Sequence, residues 1–143
     1  MVIIISIIVA VYLLMIAWTW QSLESLEKTK KVAFIVIGII ISYIVTLIIF
    51  NISQQGVNYQ NEITKHEIKK ILVLLFTALN GVIFIPYIAK LFTRVKENEI
   101  EDYKLRKKII ILVIIFIICM FFENMYLKDI QNGIINIYNS IPK

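Results

Sequence analysis

Four apolar runs, each about as long as a membrane-crossing helix, dominate this chain of 143 residues. Short charged segments separate the runs, which cover residues 2–20, 32–53, 71–92 and 109–127. A helix of about 20 apolar residues crosses the ~30 Å hydrocarbon layer of a bilayer. The runs are apolar on all sides and lack the alternation of a membrane β-strand. The sequence therefore predicts an all-α fold, a polytopic membrane protein with a four-helix transmembrane bundle, as a single integral membrane domain over residues 1–143.

The composition restricts the functions that such a chain can have. Hydrophobic residues make up 59% of it, and the 15 basic residues flank the apolar runs instead of forming a patch. The formal charge of +5 therefore indicates contact with the lipid bilayer and not with nucleic acid. Cys119 is the single cysteine, inside the fourth run, and His66 is the single histidine. We therefore expect no disulfide, no metal site, no cofactor, no catalytic residues and no enzyme activity.

The distribution of Lys and Arg predicts the orientation of the helices. Ten of the 15 basic residues lie in or beside residues 21–31 and 93–108, and five lie in residues 54–70 and 128–143. Because loops rich in Lys and Arg stay in the cytoplasm, residues 21–31 and 93–108 are predicted to be cytoplasmic loops. Residues 54–70 are then an external loop and residues 128–143 an external tail, with the N-terminus and C-terminus both outside. The expected location is the cell (plasma) membrane, multi-pass, and the abundance of Ile, Lys, Asn and Tyr favours a bacterial source.

The first apolar run and the C-terminal residues 128–143 lead to separate predictions. The first run has no Lys or Arg before it and no cleavage site after it, so we expect a retained helix and not a signal peptide. Residues 128–143 have apolar side chains at helical spacing, but Gly133 and several asparagines interrupt them. This pattern predicts either a short helix on the outer membrane surface or an unstructured end.

Small residues indicate which helices pack closely, because helices in lipid associate through tight packing and interhelical hydrogen bonds. Gly38, Ser42 and Thr46 recur at every fourth position of the second run, and Ser6 and Ala10 form a weaker series in the first. Helices one and two are therefore predicted to be the inner pair. Helix four has few small residues and is expected to be more peripheral.

Asn80 is a polar residue near the middle of the third run, at a depth similar to that of Ser42 and Tyr43 in the second. We expect the Asn80 amide to form a hydrogen bond with the hydroxyl of Ser42 or Tyr43. Thr77 precedes Asn80 by three residues and so lies on the same helix face. Two interpretations stay open: these side chains hold helices together, or they line a path for a transported species or contact a partner helix.

Gly81 and Pro86 shape the same helix. Gly81 borders the face of Asn80 and permits another backbone to approach closely. Pro86 removes one backbone hydrogen bond and is expected to kink the helix. Together with Gly38 and Thr46, these two residues are predicted to serve helix packing.

Glu123 is an acidic residue within the fourth run. It follows Ile109 by fourteen residues, which at ~1.5 Å per residue places it ~21 Å into a ~30 Å layer. A carboxylate at that depth is costly, so it should be neutral, paired or turned toward water. Alternatively, the helix ends near Phe122 and Glu123 lies among the headgroups. The expected partners on that side are the Met1 amine, His66, Lys69, Lys70, Asn51 and Asn124.

Two classes of function are consistent with these features. The first is a small non-enzymatic integral membrane protein that acts as a subunit, accessory or immunity-type protein through transmembrane helix contacts with a membrane-protein partner. The second is a homo-oligomeric small channel or transporter, in which polar residues of helices two, three and four line the path. The residues that would serve either function are Ser42, Tyr43, Thr77, Asn80 and Glu123.

Overall fold

A computed structural model describes residues 2–54, 62–98 and 101–142 of the chain. It contains four helices, which are α1 (Val2–Ser22), α2 (Lys28–Ser53), α3 (Glu62–Lys96) and α4 (Asp102–Ser140). The fold is 92% helical, and the described residues include no strand. The predicted all-α architecture with four helices is therefore confirmed.

All four helices are long and apolar enough to cross a membrane, by length and composition. Each contains one of the four predicted apolar spans. The two later helices are longer than a bilayer requires, with 35 residues in α3 and 39 in α4. At 1.5 Å per residue they measure about 52 and 58 Å, well beyond the ~30 Å hydrocarbon layer. This is the architecture of a multi-pass membrane protein whose α3 and α4 extend past the apolar layer.

Helix α3 is the centre of the bundle. It packs against all three other helices, whereas α1 and α2 barely touch and α1 does not reach α4 within the described residues. In its most apolar stretch 56% of the residues are buried, against none in the corresponding stretch of α4. The peripheral position of the fourth helix thus agrees with the sequence prediction.

The predicted inner pair of helices one and two is wrong. The small residues of α2 face α3 instead of α1, since a Cβ at Gly38 would lie 3.0 Å from the Ile85 side chain. On its other side, α3 offers Gly81 to α1, where a Cβ would lie 2.7 Å from the Met15 sulfur. Both small-residue positions therefore bring a neighbouring helix close to α3, and this makes α3 the inner helix.

The C-terminal part of α4 is continuous with its membrane span, so residues 128–140 form neither a separate surface helix nor an unstructured end. Leu127, Gln131 and Ile135 lie on one face and are buried. Leu127 and Ile135 belong to the main hydrophobic core, with Ile49, Phe50, Ile68, Leu72, Val73 and Phe76. Packing against α2 and the first turns of α3 therefore offsets the weak helix propensity of Gly133 and the asparagines.

Gly38→Leu is expected to destabilise the protein, because its side chain would enter the space that Ile85 fills. Ile85 is itself buried, and forcing extra atoms into a packed interface costs about 1–3 kcal/mol. We expect a lower Tm for the purified variant in detergent, measured by the loss of helical circular dichroism on heating.

Gly133→Leu is the matched control, because a Cβ at this exposed position would meet nothing within 4 Å. Since leucine is a better helix former than glycine, its Tm should be unchanged or higher. A Gly38→Leu protein that melts like the wild type would contradict the close packing of α2 on α3.

Candidate functional site

One turn of α3 carries two buried polar side chains. Thr77 is 1% exposed and Asn80 is 2% exposed, although both lie in the most apolar part of the helix. Their spacing of three residues puts them on one face, as the sequence predicted. Because lipid offers no hydrogen-bond partners, each must be satisfied by a neighbouring helix or by its own backbone.

Thr77 joins α3 to α1. Its hydroxyl donates to the Val73 carbonyl at 2.5 Å, and the side chain of Tyr12 lies beside it. Tyr12 therefore has its polar end within the bundle, although it lies in the middle of an apolar helix.

Asn80 joins α3 to α2. Its amide nitrogen donates to the Thr46 hydroxyl at 3.2 Å, and that hydroxyl donates to the Ser42 carbonyl at 2.8 Å. The predicted bond from Asn80 to α2 thus exists, but it goes to Thr46, one turn from the expected Ser42. The other expected partner, Tyr43, is 46% exposed and lines a cavity with Val73 and Leu74 of α3.

Glu123 is the residue of α4 that lies close to Asn80 of α3. Its carboxyl group lies beside the Asn80 amide, which has two N–H groups and donates one of them to Thr46. The helix continues for 17 residues beyond Glu123, to Ser140. The alternative in which the helix ends near Phe122 is therefore wrong. One carboxylate oxygen of Glu123, Oε2, is buried without a hydrogen-bond partner among the described residues.

The expected cationic partners of Glu123 lie elsewhere. The Lys69 ammonium lies 5.7 Å from the centre of the Phe50 ring, and His66 and Lys70 line a separate cavity between α2 and α3. Asn51 is exposed on α2, and Met1 falls outside the described residues.

A second polar contact joins α2 to α4 about two turns further along α2. A hydrogen bond connects the Ser53 hydroxyl with the side-chain amide of Asn124, and the Ser53 hydroxyl oxygen lies 2.9 Å from the Ile49 carbonyl oxygen. We expected Asn124 to share the site of Glu123, but its side chain binds Ser53 of α2. The sequence prediction missed Ser53 and Tyr12 as partners. Matching the depth of Tyr12 in the first run with that of Asn80 in the third could have identified Tyr12.

Five side chains from all four helices therefore meet at one depth, and we call them the polar layer: Tyr12, Thr46, Thr77, Asn80 and Glu123. Four of the five are uncharged hydrogen-bonding groups, and Glu123 is the only ionisable carboxyl. No three His, Cys, Asp or Glu side chains come together as metal ligands within the described ranges. The layer can position hydrogen bonds and hold one carboxyl group inside an apolar bundle.

An apolar cavity of about 250 Å³ adjoins the polar layer between α2, α3 and α4. Ser42 and Asn80 are its polar lining residues. Phe84 of α3 and Phe116 of α4 also line it, with ring centres 4.8 Å apart in an edge-to-face pair. This pair and the contacts of Glu123 and Asn124 hold α4 to its neighbours. A space nevertheless remains open between α2, α3 and α4.

The predicted packing residues lie on α2 (Gly38 and Thr46) and α3 (Gly81 and Pro86). Gly81 sits against Met15 and Gly38 against Ile85, as described above. Pro86 is buried within α3, which is helical on both sides of it.

Comparison with known proteins adds no relative. No protein-family model matches the chain, and searches of curated proteins and of solved structures likewise give no match. The functional interpretation therefore depends on the geometry of the polar layer and of the surface around it.

The bond between Asn80 and Thr46 can be measured by a double-mutant cycle with Asn80→Leu and Thr46→Val, two substitutions that keep the approximate side-chain shape. We expect each variant to lower stability and the pair to show a coupling of about 0.6–1.7 kcal/mol, the range for hydrogen bonds between membrane helices. The free energy of unfolding in mixed micelles, from denaturant titration followed by circular dichroism, gives the coupling.

A second cycle with Asn80→Leu and Ser42→Ala serves as the control. Thr46 donates to the Ser42 backbone carbonyl, which the alanine retains, so the coupling should be near zero. Coupling to Ser42 and none to Thr46 would assign the bond to the other hydroxyl and refute the geometry described here.

Proposed function

We propose that this protein is a small non-enzymatic integral membrane protein that acts through transmembrane helix contacts, as a subunit, accessory or immunity-type protein of a larger membrane assembly. The observation that carries this proposal is the surface of α4. None of the residues in its most apolar stretch is buried, and its most exposed side chains include Ile110, Ile117 and Phe121. A helix that is held in the core by its C-terminal part, with its apolar span unburied, offers a long apolar face to another helix.

The polar layer supports the same proposal. Asn80 and Thr46 are buried and hydrogen-bonded to each other across helices, and Thr77 is buried beside Tyr12 of α1. Side chains engaged in this way hold the bundle together and leave the outer faces of the helices apolar. Such a molecule is suited to recognise a partner by shape and close packing within the membrane.

The orientation that we propose places the N-terminus and C-terminus outside and the α1–α2 and α3–α4 connections in the cytoplasm of a bacterial cell membrane. Its support is the excess of Lys and Arg around these two connections. At this end the Lys96 ammonium donates to the Ser25 carbonyl at 3.1 Å, and the Lys31 ammonium lies 4.9 Å from the Trp20 ring centre. The two connections therefore form one basic end of the bundle.

A homo-oligomeric channel or small transporter is the second candidate, and Glu123 is the observation that favours it. Its Oε2 atom is buried without a partner among the described residues, and its neighbour Asn80 lines the cavity between α2, α3 and α4. Intramembrane carboxyl groups commonly mark paths for ions or protons. In an oligomer, the corresponding groups of several chains would surround one path.

Photo-crosslinking tests the helix-contact proposal. With benzoylphenylalanine in place of Ile117, which is 58% exposed on α4, irradiation of native membranes should join the protein to one larger membrane protein in stoichiometric yield. The matched control carries the same group at Leu13, 62% exposed on α1, and should give no such product. Mass spectrometry of the crosslinked band identifies its components.

Crosslinking of the chain only to itself would contradict this proposal and favour the second candidate. In that case the purified protein should conduct ions or protons in liposomes, and Glu123→Gln should abolish the flux while leaving the Tm unchanged. Absence of flux under any imposed gradient would exclude a channel.

Cysteine labelling tests the orientation, in a Cys119→Ala background. Glu62 and Glu97 are exposed near opposite ends of α3, so Glu62→Cys and Glu97→Cys form a matched pair. On intact cells, a membrane-impermeant maleimide should label Glu62→Cys and not Glu97→Cys, and both should react after permeabilisation. The reverse pattern would invert the topology.

A further inference from the structure

A second cavity lies between α1 and α3 at the basic end of the bundle. Its volume is about 390 Å³, within the range of ligand-binding pockets. We call it the α1–α3 cleft, and it is lined by Trp18 of α1 and by Val82, Ile83, Pro86, Tyr87, Lys90, Leu91 and Arg94 of α3. It is separate from the polar layer and shares no residue with it.

The lining of this cleft changes from apolar to basic along α3. Ile83, Tyr87, Lys90 and Arg94 follow one another at spacings of four, three and four residues, so they share one face of the helix. Ile83 lies in the middle of the apolar span and Arg94 in the last turn of the helix. Eleven residues separate them, about 16 Å along the axis, which matches one half of the ~30 Å hydrocarbon layer. The cleft therefore extends through one leaflet, from its deep side to its headgroups.

The charges and aromatic rings of the cleft lie at the depth at which the acyl chains of a phospholipid meet its headgroup. Two cations, Lys90 and Arg94, line the end of the cleft nearest the C-terminus of α3, and no carboxylate among the described residues lines the cleft. Trp18 and Tyr87 are about half exposed and flank the entrance from the two helices. Aromatic rings of this kind prefer the interface between chains and headgroups, and an arginine guanidinium can bind a phosphate through two hydrogen bonds.

We propose that the α1–α3 cleft binds one anionic phospholipid from the leaflet that surrounds the C-terminal end of α3. The lipid phosphate contacts Lys90 and Arg94, and one acyl chain lies along Val82, Ile83 and Pro86. Trp18 and Tyr87 pack against the glycerol region. An anionic phospholipid is the expected occupant because its phosphate complements the charges of Lys90 and Arg94. The length of the cleft along α3 also matches the thickness of one leaflet. The proposal is independent of the partner and of the orientation proposed above.

Tryptophan quenching tests this proposal on the full-length protein, since the chain has two tryptophans and Trp20→Phe leaves Trp18 as the only one. The variant is placed in phosphatidylcholine vesicles that contain a small fraction of phosphatidylglycerol with brominated acyl chains. A second set contains the same fraction of brominated phosphatidylcholine instead. Bromine quenches a tryptophan in contact with it, so we expect stronger quenching of Trp18 by the anionic lipid.

Charge variants separate binding in the cleft from general attraction to a basic surface. Lys90→Gln with Arg94→Gln should remove the preference for the anionic lipid, by about fivefold in relative affinity per cation. Lys104→Gln with Lys107→Gln makes the same change in net charge at exposed positions of α4, outside the cleft, and should retain the preference.

Three results would overturn the proposal. They are equal quenching by the two lipids, a preference that survives the Lys90 and Arg94 substitutions, and a preference that both double variants reduce to the same extent. Circular dichroism and the Tm of each double variant confirm that the fold is intact. A shift of Trp18 emission in the Lys104 and Lys107 control would also count against a site confined to the cleft.

Discussion

The buried polar contacts of one turn of α3 are the interaction on which the rest of this bundle depends. Helices in lipid gain little from burying apolar surface against one another, so packing and polar contacts decide which helices meet. Thr77 and Asn80 are buried, Asn80 is hydrogen-bonded to α2, and their other polar neighbours belong to α1 and α4. The three helices that surround α3 are thus attached at one depth, through side chains that lipid cannot satisfy.

Close helix packing and these hydrogen bonds require each other. The Asn80 amide reaches Thr46 only because α2 approaches α3 closely, and Gly38 on α2 permits that approach. Gly81 does the same for α1, whose Tyr12 reaches Thr77. Helix α4 has no comparable small residue at its contact with α3. It is attached through Phe116, Asn124 and the core residues Leu127 and Ile135, and these contacts leave a cavity beside Phe116 and most of the apolar span on the surface.

Much of this arrangement is predictable from the sequence, and the errors have physical causes. Run length and hydropathy determine four helices, and the depth of Asn80 points to a bond with α2. A series of small residues, however, shows that a helix packs closely without showing against which helix, and so α1 was paired with α2. Tyr12 was missed because one hydroxyl in an apolar run has no spacing pattern. The continuation of α4 depends on tertiary contacts of Leu127 and Ile135, which outweigh the local signal of Gly133.

Glu123 is the residue that packing alone does not explain. A charged side chain at the centre of a membrane helix costs about 2.5–3.5 kcal/mol on insertion scales, whereas one interhelical hydrogen bond contributes about 0.6 kcal/mol on average. A contact with the Asn80 amide therefore does not offset the cost of a charge, and a glutamine could make the same contact without that cost. Packing within the chain thus gives no reason for a carboxyl group at this position. The channel proposal does give one, because it assigns Glu123 to a path for ions or protons, whereas the helix-contact proposal depends on the apolar face of α4.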